Sequence, residues 1–599
     1  MKRLLAGAAL APALVSQGCG GDQARPKAFS TDWLDDGGKS IASVYQRLRD
    51  AVPEAHADVA VAVAGSGDKI LGLPLGGGAP WTFAHAVDTR PLVAGGVVVV
   101  SGGGEVVALD AKSGKKLWAR PSGGMPLLGA GDDGRTTALT FNRAGTSTLL
   151  VVARDGQVRQ QLETQRDIGS PAVLGGVVFV PWASQYVSAL DASTGEELGR
   201  VVLRDKVTHA TTIGNALYFG EATWVRFDEK IPTASSGGAS RVAIPSRELP
   251  GTPRLRAPGT EKVPPVAGAR DRDRLFARPV AGDRAGVSID AGRFYASYFQ
   301  LVMGFDAGRG NLVWVHTHGD DVIGGEAVPG GIALCDASGK LTVLDAASGG
   351  VAVEQSFGEP IKSCVVHADA FRAPAGKGAR GSLATQIQEA LASKEAQLAT
   401  GQRLLLRELA TQVDDSATKT LIDIASDSRA APVLVADARA AIASRRNGAS
   451  HMLAALGRHY DYLKDVLASP PVGPIADALA AMKEQKAAGL LAWSLLDPAI
   501  TDDDVKRAAA ALTVLATKEE LPALRGFFAM YRGTAETEEI SSAVLSVATA
   551  ILRLDPKDGR AALEEATKDG ATTDSIRPRL EAILASAPAA TSAPAPAKN

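Results

Sequence analysis

The chain has 599 residues, a net charge of −2, 45% apolar residues and 22% charged residues. Such a length predicts several domains, and the near-neutral balance excludes bulk nucleic-acid binding through a basic face. Aromatic residues make up only 5% of the chain against 64 glycines. Past the N-terminus no apolar run reaches the roughly 18 residues expected of a membrane-spanning helix.

The first elements are a targeting segment. Lys2 and Arg3 precede the apolar run Leu4–Val15, which ends in Ser16-Gln17-Gly18-Cys19. A short basic region before an apolar core of this length predicts a signal peptide. Small residues ahead of a cysteine resemble a bacterial lipoprotein processing site, which implies that residues 1–18 are removed and that Cys19 is lipidated. Ser16 departs from the aliphatic residue usual there, and an ordinary secretory signal remains the alternative. A lipid would anchor the chain without spanning the membrane. Gly20 and Gly21 follow the cysteine in place of the aspartate that in enteric bacteria signals inner-membrane retention. The expected location is therefore the outer membrane, facing the periplasm or the cell surface. Residues 19–57 are a tether, with a short amphipathic helix expected at Ser40–Asp50.

A phrase then recurs. Val107–Trp118 (VALDAKSGKKLW) returns at Ser188–Leu198, Gly304–Trp314 and Thr342–Val351, anchored on Asp110, Asp191, Asp306 and Asp345. Each copy is an apolar strand, an Asp-x-x-x-Gly turn and a second strand, hence a hairpin. Their separations are 81, 115 and 39 residues, the first being about two units of roughly 40, the period of a four-stranded propeller blade. Degraded copies surround Asp155 and Asp228. Leading strands with a glycine turn are expected at Arg90–Val100, Ser170–Val180, Thr211–Phe219, Val287–Tyr295 and Glu326–Leu334. Asp58–Phe83 holds three strands without a leader, and Ile361–Val366 is a leader without followers. The fold expected over 58–366 is a seven-bladed β-propeller closed by pairing of its N- and C-terminal strands, which removes an open sheet edge. Within it, 229–286 is an insertion with eight prolines and 11 Lys/Arg against 6 Asp/Glu; its prolines argue against a central strand.

Residues 367–381 are expected to be a linker. From 382 the apolar period changes from two to 3.6, predicting an α-helical domain over 382–585. Val505–Thr517, Leu521–Tyr531 and Glu539–Leu554 carry apolar stripes, and Asp502–Asp504 stand where acidic residues complement a helix start. Leu-Asp-Pro at 496–498 and 554–556 ends two helices. Helical hairpins of this Ala/Leu content resemble HEAT-type repeats, with a non-repetitive helical domain as the alternative. Residues 586–599 are an Ala/Pro-rich tail.

Few residues suggest chemistry. Cys335 and Cys364 are candidates for a disulfide, exported chains favouring such bonds, or for two buried small apolar residues. His316, His318 and Asp320 form a weak metal candidate, because alternate strand positions face one way; a solvated polar connector between blades is the default. Asp132-Asp133 lacks the spaced oxygens of a calcium loop. There is no Walker loop, Gly-x-Ser-x-Gly elbow or His-Glu-x-x-His motif.

The phrase LDAKSGKKLW resembles the repeat of the pyrroloquinoline-quinone-type propeller superfamily over about 58–366. That superfamily includes quinone-dependent alcohol dehydrogenases and the propeller lipoprotein of the outer-membrane barrel-assembly machinery. The dehydrogenases imply a calcium held by Glu, Asn and Asp, a catalytic Asp, a Trp platform and a bond between adjacent cysteines. This chain has no Cys-Cys pair, its propeller asparagines are only Asn142, Asn215 and Asn311, and the repeat aspartates sit in turns. Trp118 and Trp314 are expected to pack between blades. No cofactor is expected. The expectation is a non-enzymatic envelope lipoprotein that binds envelope proteins through propeller loops and a helical surface, and the membrane through Cys19. The alternative is a quinone- or metal-binding periplasmic oxidoreductase. The lipoprotein relative implies eight blades and no helical extension, so this chain departs from it in both.

Overall fold

The computed structural model describes residues 59–586, apart from 183, 214–215, 221–223, 228–240, 243–272, 282–286, 379 and 459–468, together with Val44, Arg47 and Leu48 ahead of them. Cys19, Asp228, the rest of the tether, most of the tail and most of the 229–286 segment lie outside the described residues. The chain divides into two compact units, Met1–Arg380 and Gly381–Asn599.

The first unit is built of antiparallel four-stranded meanders. In chain order they run from Leu92–Ala94 to Lys116–Pro121, from Leu127–Asp132 to Val158–Thr164, from Ala172–Leu174 to Glu197–Val207, and from His209–Ile213 to Arg241–Val242. The next runs from Asp273–Phe276 to Leu312–Thr317, and another from Val322–Val328 to Val351–Ser356. The remaining group combines the two ends of the unit. Ser363–His367 pairs with Val61–Gly65 in register, Val63 opposite Val365, and Lys69–Pro74 and Trp81–Ala84 follow. Runs of apolar residues, as in the four valines Val97–Val100, bury both faces of the inner strands, which is why these strands are continuously apolar.

One expected leading strand is corrected. Val287–Ile289 pairs with Pro279–Ala281, while Arg293–Tyr298 pairs with Asp273–Phe276. The local pattern of apolar residues around a glycine suggested a hairpin, but the partner of Arg293–Tyr298 comes from inside the Pro-rich stretch. That stretch supplies strands at its described positions, and Pro279 sits at the first position of a two-stranded ribbon, where a missing N–H is tolerated.

The segment expected as a linker is laid against the sheets. Phe371 and Ala373 are buried beside Ala333 and Val343. The Ala373 amide donates to the Pro329 carbonyl at 2.7 Å and the Lys377 amide to Val351 at 2.9 Å. Arg380 donates to the Gly349 carbonyl at 2.8 Å.

In the second unit twelve helices are described: α1 Leu383–Leu391, α2 Ala399–Thr411, α3 Asp415–Ser426, α4 Pro432–Ser444, α5 Ala449–Arg458, α6 Val472–Met482, α7 Ala488–Ser494, α8 Asp502–Leu515, α9 Leu521–Tyr531, α10 Glu538–Leu554, α11 Asp558–Lys568 and α12 Arg577–Ser586. The even-numbered helices α2 to α10 pack each on the next, and the odd-numbered α1 to α9 do the same, so consecutive hairpins stack in two layers. The acidic run Asp502–Asp504 fills the first turn of α8 as expected, but none of the three is the cap. Thr501 is the N-cap, its hydroxyl accepting from the Asp504 amide. The buried Asp504 carboxylate instead accepts from the Gly473 amide at 3.0 Å and from Arg439. The two Leu-Asp-Pro turns follow α7 and α10, one in each layer, so they are not equivalent points of a repeat.

Candidate functional site

The repeat aspartates build turns. Asp110 Oδ1 accepts from the Ser113 amide at 3.0 Å and its hydroxyl at 2.8 Å. Asp306 Oδ1 accepts from the amides of Gly308 and Arg309, and Asp345 Oδ1 from those of Ala347 and Ser348. The amides of Gly114, Gly195, Gly310 and Gly349 all donate back to the carbonyl of their aspartate at 2.7–3.0 Å. Gly114 stands at φ +67°, a left-handed conformation that disfavours a side chain. The strand bulges at one place in each copy, after Ala108, Ala189, Gly304 and Val343. Burial alone would raise the Asp345 carboxyl, but the Ser348 hydroxyl and the turn amides hold it below its usual range.

The turns are also docking points between neighbouring sheets. Trp314 is fully buried, donates its Nε1–H to the Ala346 carbonyl at 3.1 Å, and fills the space beside Gly349. Trp81 repeats this at Ala111, 3.2 Å away, beside Gly114. Trp118 lies against Gly156. Trp118 and Trp314 therefore lie between sheets, as expected; Trp81 had no repeat phrase around it to mark it. Carboxylates stitch the opposite hairpins. Asp132 Oδ2 accepts from the Gly96 amide at 3.2 Å, Asp133 from Gly176 at 3.0 Å and Asp290 from Gly330 at 2.7 Å. Asp132-Asp133 is thus a junction between three sheets. Burial raises the Asp132 carboxyl to about 6, against the lowering pull of Thr137, Arg154 and the Gly134 amide.

The first strands of four sheets and the strand Ser363–His367 converge on one cavity of about 80 Å3. Arg90, Asp132, Ser170, Thr211, Thr212 and His367 supply its polar lining. Elsewhere between neighbouring strands the backbones approach so closely that a Cβ on Gly324 would sit 2.1 Å from the Cys364 carbonyl, and one on Gly169 only 1.8 Å from that of Thr208. Glycine is required at both by contact alone. The cavity lining is concave and polar, and its volume is well below the roughly 300 Å3 of an ordinary ligand pocket.

The sequence-derived candidates fall in separate places. Cys335 and Cys364 lie on the strands either side of Val322–Val328, fully buried, with Cα atoms 6.2 Å apart and sulfurs at bonding distance; Gly324, on the strand between, pairs with both. His316 and His318 stack edge to face at 5.1 Å, whereas Asp320 is exposed. Their connector is not the solvated one expected: His318 is 4% exposed, with Asp336 Oδ2 4.0 Å from Nδ1. Burial lowers His316 to about 3 and His318 to about 4, aided by His318, Arg380 and Lys340 at the former and Lys340 at the latter. Among the described residues no group of three or more His, Cys, Asp and Glu is arranged to hold a metal.

Within the helical unit, α1 to α4 enclose a cleft of about 390 Å3. Leu391, Ile424 and Leu434 make its apolar floor, and Lys394 bridges to Asp427 across the rim at 2.7 Å. No helix among the described residues is long and apolar enough to cross a membrane.

Asp-anchored hairpins, docked tryptophans and four-stranded meanders define a protein built on pyrroloquinoline-quinone-type repeats, followed by a helical region. The family model described as outer membrane protein assembly factor BamB matches residues 52–170, and those residues carry the repeat of that family. An outer membrane protein assembly factor BamB from Burkholderia pseudomallei is 34% identical over 109 residues, 18% of this chain and 28% of the relative. One from Bordetella pertussis is 27% identical over 217 residues, 35% of this chain and 50% of the relative. The chain thus spans half or less of the curated relatives it matches. Among solved structures, BamB from Moraxella catarrhalis aligns at 18% identity and TM-score 0.27, covering 51% of this chain and 84% of that one. Apo AztD from Citrobacter koseri aligns at 12% identity and TM-score 0.34, covering 52% and 97%.

Proposed function

We propose that residues 58–366 form a closed seven-bladed propeller and that the protein is a non-enzymatic scaffold of the cell envelope, serving outer-membrane protein assembly or envelope organisation. One observation carries the ring: the last strand of the sheet region, Ser363–His367, lies between Val322–Val328 and Val61–Gly65, so both ends of the region share one sheet. The convergence of four first strands and Ser363–His367 on a single cavity supports the same reading. A closed ring offers a rigid face of loops, and stacked helical hairpins of HEAT-like type offer an extended one. The relatives' description as assembly factors supports partners among envelope proteins.

In this reading residues 1–18 are a signal peptide, Cys19 carries the lipid, and Cys335–Cys364 is a disulfide. The polar cavity and the loops around it are the contact face; the repeat aspartates and tryptophans hold that face rigid and take no part in chemistry. A quinone enzyme would need liganding carboxylates turned toward a cofactor, but Asp110, Asp306 and Asp345 are spent on turn amides.

The test is capture of the tagged chain from membranes after mild crosslinking. The expected result is a reproducible complex with envelope proteins, lost to the soluble fraction with Cys19→Ala. Recovery of the chain alone across detergents and crosslinkers overturns the scaffold reading.

A further inference from the structure

We infer that the helix carrying Val44, Arg47 and Leu48 is a strap, bolting the N-terminal segment to the flank of the sheets Ala172–Val207 and His209–Val242. Val44 is fully buried in a cluster with Ala172, Leu174, Phe179, Phe219 and Phe227, and Leu48 packs on the same cluster. Positions four apart lie on one helix face, so both apolar contacts come from one side of one turn. Between them Arg47 Nη1 meets Asp191 Oδ2, whose side chain is 12% exposed.

The partner of Arg47 gives this contact its meaning. At two other repeat turns the aspartate is met by an arginine from the sheets themselves: Arg154 on Asp110 and Arg293 on Asp306, each at 3.0 Å. At Asp191 the arginine is supplied from outside the sheets, 144 residues earlier in the chain. The strap therefore takes a place that belongs to the repeat. Burial would raise the Asp191 carboxyl, but the Ser193 hydroxyl, Arg47 and the amides of Ser193 and Thr194 hold it well below its usual range, so the pair is charged at any ordinary pH.

The consequence for the anchor rests on the lipidation proposed at Cys19; the strap itself does not. Val44 lies 25 positions after Cys19, at most about 3.3–3.6 Å each. The strap would make this short leash, and no longer stretch of chain, the limit on how far the sheets stand from the membrane.

Limited trypsin digestion of the full chain, read by mass spectrometry at the Arg49–Asp50 bond, tests the strap. We expect Val44→Asp to speed cleavage at least 10-fold without a change in far-ultraviolet circular dichroism. Arg47→Asp and Asp191→Arg should each speed it severalfold, and the double variant should restore the slow rate. Equal rates in the unaltered chain and Val44→Asp overturn the inference, as does a double variant cut as fast as either single one. The same rates are expected in a Cys19→Ala background, so failure of the anchor reading, seen only by membrane fractionation, leaves this result distinct.

Discussion

Asp132 shows how one side chain can be costly where it is most connected. It sits at a junction of sheets, 2% exposed, with its carboxyl raised to about 6 by burial. A raised folded value means that the folded state holds the proton more tightly than the unfolded chain, so the associated stability is complete below about 4 and is lost as pH rises through about 6. Asp132→Asn, which keeps an acceptor for the Gly96 amide, should therefore stabilise the protein by about 1–3 kcal/mol at pH 7.5 and have little effect at pH 4. Urea titrations at both pH values check this; a loss at pH 7.5 would show that the charged form is what the junction needs. His316 and His318 have the opposite sign. Their folded values lie near 3 and 4, so their stability is present above about 6.5 and declines as pH falls through those values. His318→Gln should flatten the fall in unfolding midpoint between pH 6.5 and pH 4, and an unchanged slope would assign that fall elsewhere. Cys335 and Cys364 are 29 residues apart in sequence, a loop whose closure by a disulfide contributes about 3 kcal/mol. Reductant should lower the melting temperature of the unaltered chain but not of Cys335→Ser. The turn role of the repeat aspartates was legible because their chemistry is local, contained within five residues. The burial of His318 was not, because the strands that carry Asp336 and Lys340 are legible but their approach to His318 is a contact between sheets.

At the scale of elements, the repeat phrase carried more than hairpins. Its terminal tryptophan docks on the next sheet, so one motif specifies both a strand end and a contact 32 residues away. Trp314→Ala should cost about 3–5 kcal/mol in unfolding free energy; a loss below about 1 kcal/mol would show that the docking is dispensable. Helix boundaries were equally legible: Leu521–Tyr531 is found as expected, and Glu539–Leu554 begins one residue earlier. What escaped the sequence is pairing at a distance. Asp273–Phe276 sits in a Pro-rich stretch and still takes the leading position of its sheet, because Arg293–Tyr298 offers it an unpaired edge. Arg445 likewise looks like a surface arginine at the end of α4. It is 5% exposed and donates to the carbonyls of Ala410, Gln412 and Asp414, satisfying the end of α2 as a helix terminus requires.

At the scale of the molecule, two compact units follow from a change of apolar period near residue 382, and that change is visible in the sequence. The join between the ends of the sheet region was inferred from a missing leader at one end and a lone leader at the other. In the structure Ser363–His367 and Val61–Gly65 share a sheet, and the proposed ring follows from that pairing. The number of partners and their identity leave no such trace, because a binding face is made of loops whose residues answer to the partner rather than to the fold. Hydrogen exchange of a Val365→Pro variant tests the ring most directly. Proline there removes a ladder bond from a strand paired on both sides. The account predicts that amides of Val61–Gly65 and Lys69–Pro74 lose protection together with those of Val322–Val328, and that the sheet region melts in one transition at lower temperature. Protection and melting unchanged from the unaltered chain would contradict a ring closed by this strand.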